Sequence, residues 1–101
     1  VFVNVVGGVR IDEPAADLPA LLAVASSLRG RPLPADLVAF GELGLTGEIR
    51  PVPFGEERLR EAAKQGFARA IVPAGNAPRR AIGGIAVTGV AHLQAALDGA
   101  F

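Results

Sequence analysis

Glycine and proline set the grain of this chain. Thirteen glycines and eight prolines in 101 residues cut it into runs, each about as long as one strand or one short helix. Half of the residues are apolar, enough for a core and too many for disorder. No apolar run reaches the roughly 18 residues of a membrane span, and no basic segment precedes an apolar one as in a signal peptide. The chain opens on Val1-Phe2-Val3-Asn4-Val5-Val6, a strand already under way, as expected of a piece of a longer protein.

Read between its breaks, the chain predicts one α/β (α+β) domain over residues 1–101. It should hold a small mixed sheet with a β-hairpin and about three helices. Residues 1–9 are rich in β-formers and contain the turn signal Gly7-Gly8. A helix is predicted from about Ala15 to Leu28, with Leu18, Leu21, Leu22, Ala25 and Leu28 on its apolar stripe and Ser27 facing away. Gly30 and Pro32 stop it. Residues 37–42 and 48–52 read as strands joined by Gly44-Leu45-Thr46-Gly47 in an antiparallel hairpin, with Pro51 and Pro53 ending the second. A second helix is expected from about Glu56 to Gln65, with Leu59, Ala62 and Ala63 inward. After it come a buried strand at Ala70–Pro73, a loop over 74–84, a strand at Ile85–Thr88 and a helix around His92 to Leu97.

Composition narrows the chemistry. Ten basic residues balance ten acidic ones, so a polyanion partner would need a local asymmetry of charge rather than a global one. Cysteine is absent, which excludes disulfides, thiolate metal sites and cysteine nucleophiles, and His92 is the sole histidine. Hydroxyls come from Ser26, Ser27, Thr46 and Thr88 alone. His92 could serve as a general base with Thr88 the nearest hydroxyl in sequence, or as a helix cap or surface residue. Ser26 and Ser27 lie inside a helix, where packing or surface roles compete with nucleophilic ones. Gly41, Gly44 and Gly47 recur every three residues. They lack the Gly-Lys-Ser/Thr of a phosphate loop and read as hairpin glycines. Nine of the ten cations are arginine. Those near turns and helix ends either pair locally or converge to hold phosphates.

Several runs are specific enough to carry a resemblance. Val5-Val6-Gly7-Gly8-Val9-Arg10-Ile11-Asp12-Glu13-Pro14, Ala25-Ser26-Ser27-Leu28-Arg29 and Phe40-Gly41-Glu42-Leu43-Gly44-Leu45-Thr46-Gly47-Glu48-Ile49-Arg50-Pro51-Val52 resemble the C-terminal domain of the bacterial RadA (Sms) family of DNA repair proteins. That domain is in turn similar to the proteolytic domain of Lon, which works with a Ser–Lys dyad. The resemblance implies a Lon-like fold in which Glu13-Pro14-Ala15-Ala16 stands at the Gly-Pro-Ser-Ala stretch, putting Ala15 at the serine position. The lysine position falls on Glu56, and a shift of one or two residues reaches Glu57 or Arg58. Alanine supplies no nucleophile, and neither Glu nor Arg supplies a neutral amine base. The expectation is a protease fold without protease activity.

The family also implies a context. Its members carry a zinc finger and a RecA-like ATPase ahead of this domain, so ATP, Mg and Zn belong to parts outside this chain, and the domain itself is expected to hold no cofactor. They promote branch migration as hexamers on DNA in the cytoplasm, alongside a recombinase filament. The expected partners are therefore DNA and further copies of the chain in a homohexameric ring, with no membrane. A ring surface is expected at the hairpin over 41–54 and the loop over 74–84. The expected DNA contacts are Arg10, Arg29 and Arg31, with Arg50 and Lys64 behind them. The alternative is a purely structural ring that never touches DNA.

Overall fold

The computed structural model describes residues 5–6, 9–10, 14–80 and 82–101. The order is β1 (Val5–Val6), β2 (Val9–Arg10), α1 (Asp17–Arg29), β3 (Leu37–Ala39), β4 (Glu42–Leu43), β5 (Ile49–Arg50), α2 (Gly55–Lys64), β6 (Arg69–Pro73), β7 (Ala86–Val90) and α3 (Leu93–Ala100). The α/β class, the three helices and the small sheet expected from sequence are all present.

β6 explains the architecture. Its residues Ala70-Ile71-Val72-Pro73 are all buried, as a strand covered on both faces should be. It lies between β3 and β7 and is parallel to both. Side chains alternate along a strand, so Ala70 and Val72 enter one core with Leu59 and Ala62 of α2. Ile71 enters a second core on the opposite face, with Leu18 and Leu22 of α1 and Ala96 and Ala100 of α3. The result is three layers: α2, the parallel sheet, then α1 with α3.

The strand expected over 37–42 is two strands. Gly41 interrupts it, and a Cβ there would stand 3.0 Å from Ile49 Cγ2 and 3.3 Å from Pro73 Cγ. β3 runs on the main sheet, whereas β4 turns out of it to pair antiparallel with β5, Glu42 opposite Arg50 and Leu43 opposite Ile49. The predicted hairpin is therefore real, but shorter. It rejoins the body through β5: the Ile49 N–H donates to Ala91 O at 2.8 Å, and the Leu93 N–H to Gly47 O at 2.9 Å.

The first helix departs from expectation at its ends. A 3-10 turn over Pro14–Ala16 precedes it, and α1 runs to Arg29. Leu28 is 84% exposed and leaves the apolar stripe. Ser27 is exposed, as its spacing predicted. The 74–84 segment holds a short 3-10 turn at Ala74–Asn76 and ends in a reversal in which Gly83 (φ 54°) and Gly84 (φ 81°) occupy left-handed space, closed by Ile85 N–H to Ile82 O. Residues 1–4, 7–8, 11–13 and 81 lie outside the described residues, as do the side chains over 5–14. They include most of the first predicted strand and the Gly7-Gly8 turn.

Candidate nucleic-acid interface

Arg29 and Arg31 flank the residue that ends α1. Gly30 adopts φ 63°, ψ 26°, and its N–H turns back to Ser26 O and Ser27 O. The Arg31 N–H also donates to Ser26 O at 3.2 Å, and the Ser26 hydroxyl donates to Arg31 O. This left-handed cap folds the chain back on itself and brings both arginines to one aromatic ring. The Arg29 guanidinium lies 5.0 Å from the centroid of Phe101 and that of Arg31 lies 6.0 Å away. Arg31 also donates through Nη2 to Phe101 O at 3.5 Å. Neither arginine meets a side-chain carboxylate among the described residues. Cation–π contact orders both heads without neutralising them, so they remain able to take an anion.

Neither Arg50 nor Lys64 joins them. Arg50 lies between two carboxylates, 3.7 Å from Glu42 and 3.4 Å from Glu48. Lys64 ends α2 and lines a shallow cleft with Arg60. The Arg10 backbone pairs with Val5, and its side chain is outside the described residues. No sequence periodicity pointed to Phe101, which reaches the arginines through tertiary packing.

The positions matched to the Lon dyad are far from equivalent chemically. Ala15 is 3% exposed, its methyl group packed in the core beside Phe40, Val52 and Leu59, and its carbonyl accepts from the Gly41 N–H at 3.0 Å. Glu56 is exposed on α2 and pairs with Arg60 at 3.7 Å. His92 caps α3 with its backbone, and its exposed side chain makes no cap hydrogen bond.

Two local devices escaped sequence reading. The Glu48 carboxylate accepts from Thr46 Oγ1 at 2.9 Å, from the Thr46 N–H at 3.0 Å and from Arg50 at 3.4 Å. These donors, the Thr46 hydroxyl first, lower its pKa from 4.5 to about 2 and fix the hairpin tip that carries the fully exposed Leu45. The Asn76 amide grips Val52 from both sides, its Oδ1 accepting from the Val52 N–H at 2.8 Å and its Nδ2 donating to Val52 O at 2.9 Å. Beyond Val52, Phe54 is 70% exposed and sits at φ 63°, the one non-glycine residue in left-handed space among the described residues. Among those residues no helix is long and apolar enough to cross a membrane.

Comparison with known proteins gives the chain's family. A family model described as subunit ChlI of Mg-chelatase matches residues 1–76, and the chain belongs to that family. Its curated relatives include proteins named DNA repair protein RadA. That of Pseudomonas aeruginosa is 61% identical over 101 residues, covering all of this chain and 22% of the relative. That of Escherichia coli is 65% identical over 98 residues, covering 97% of the chain and 21% of the relative. That of Bacillus subtilis is 48% identical over 102 residues, covering 95% and 21%. The chain thus spans about a fifth of the length of these relatives.

Proposed function

We propose that this chain is a non-catalytic, Lon-like assembly and DNA-binding module of a RadA-type, ATP-driven DNA repair and branch-migration protein. The relatives' shared name supports the repair context. The unneutralised Arg29–Arg31 pair held on Phe101 carries the DNA-contact part of the reading. Guanidinium groups held in place and facing solvent suit phosphate oxygens and need no base edge, so binding is expected to be independent of sequence. ATP, Mg, Zn and the contact with a recombinase filament belong to the rest of the cytoplasmic parent. Peptide hydrolysis is not part of the role, since the serine position is a buried methyl group; turnover of casein would contradict it.

Fluorescence anisotropy of a labelled single strand at about 50 and 200 mM salt tests the DNA contact. With two phosphate contacts removed, R29A/R31A should weaken binding and flatten the slope of log K against log salt by about 1.4. Unchanged affinity and slope would refute the assignment. A purely structural hexameric ring would then stand, the reading favoured by the apolar side chains of Leu45 and Phe54 exposed on fixed loops.

A further inference from the structure

The C-terminal turn of α2 and the reversal over 82–85 border an open cleft of about 310 Å³ lined by Arg60, Ala63, Lys64, Ile82 and Gly83. Its shape follows from two small residues. A Cβ on Gly83 would come within 2.7 Å of Ala63 Cβ, so the reversal approaches the helix closely only because both side chains are minimal. What remains beside that contact is an aliphatic floor under a cationic rim. Lys64 meets no carboxylate among the described residues, and Arg60 is only loosely held by Glu56 at 3.7 Å, both partners more than half exposed. Arg79 and Arg80, both exposed, stand three and two residues before Ile82 in sequence. The charged residues that line the cleft are thus both cations, although the whole chain is neutral.

From these features we infer that the cleft is a docking site for an acidic peptide segment that carries one large apolar side chain. The volume is at the small end for a ligand pocket and suits a single Leu- or Phe-sized group rather than an extended ligand. The apolar group would lie on Ala63 and Ile82, and flanking carboxylates would meet Lys64 and Arg60. Nucleic acid fits less well, because no aromatic plate lines the cleft for a base to stack on. The proposal moves Lys64 from the DNA contacts expected from sequence to a protein contact, and it is independent of the Arg29–Arg31 assignment.

The test titrates this chain against a fluorescein-labelled peptide of four glutamates followed by Leu-Phe, against the same peptide ending Ser-Ser, and against a labelled oligothymidylate. Specific binding of the Leu-Phe peptide is expected, weakened about tenfold by K64E and further by R60E/K64E. R29A/R31A should leave it unaltered while lowering affinity for the oligonucleotide. Both rim residues are exposed, so the variants should unfold like the parent by circular dichroism. Equal binding of the Ser-Ser peptide would reduce the cleft to a general anion patch and overturn the proposal. No binding of either peptide at millimolar concentration would do the same. So would a K64E variant that loses the oligonucleotide and keeps the peptide, which would return the cleft to nucleic acid.

Discussion

Glu48 shows how much one side chain can organise. Its folded pKa of about 2 lies below the ordinary value of 4.5, so the bonds it accepts stabilise the folded state above pH 4.5. That contribution is lost as pH falls from about 4.5 toward 2. E48Q should therefore lower the urea midpoint near neutrality and flatten its pH dependence in this window, so that variant and parent converge toward pH 2. Gly44 offers an independent check. A Cβ there would fall on the Glu48 carboxylate, so G44A must push it off Thr46 and should reproduce the flattened acid limb. An unchanged limb in both variants would show that the carboxylate does not hold the tip. None of this was legible beforehand: the glycine triplet 41, 44, 47 announced a hairpin, but a Glu–Thr contact two residues apart has no periodic signature. Phe101 escaped for a related reason, since a contact spanning 70 residues depends on where the helix ends meet.

At the scale of elements, sequence reading was most secure where a periodic pattern was long. α1 and α2 were found within about two residues, and β6 by its unbroken apolar run. It failed where a single residue redirected the chain. Gly41 sits among apolar neighbours and looks like the middle of a strand; only the approach of Ile49 and Pro73 shows that it is a corner. The segment between β5 and α2 was likewise read from its prolines, as an end. Its shape in fact depends on Asn76, 24 residues on. N76A strands a buried N–H and C=O of Val52 and should cost about 1–3 kcal/mol in chemical denaturation. N76D should not restore the loss, because a carboxylate can accept from the N–H but cannot donate to the carbonyl. Full stability in N76D would mean that Nδ2 contributes nothing.

For the whole molecule, the two cores share one strand and should fail together. L59A opens the α2 side and L22A the α1 side, and each truncates a side chain no more than 1% exposed. Each should cost about 2–5 kcal/mol. Both should shift a single cooperative transition, followed by calorimetry and far-UV dichroism because the chain lacks Trp and Tyr. L28A, at the solvent-facing end of α1, should lie within about 0.5 kcal/mol of the parent. Two separate transitions in L59A would mean that the layers are independent. Fold class could be read in advance because alternating strand and helix signals require helices packed on a sheet. The distribution of arginines could not, because it depends on which helix ends the layers bring together.

β6 itself leaves a further question of alignment. With apolar side chains on both faces, a shift of one residue that brings Ala74 into the place of Pro73 would bury no charge, so polarity rejects only the opposite slip, which would bury Arg69. Rejection falls to the ends. Asp36 accepts backbone bonds from Ala68 and Arg69 at 2.9 and 3.1 Å, and its carboxylate meets the Arg69 guanidinium at 3.1 Å. Half-exposed, that ion pair adds little to stability. It works as an index pin, a contact whose value lies in the misalignments it forbids.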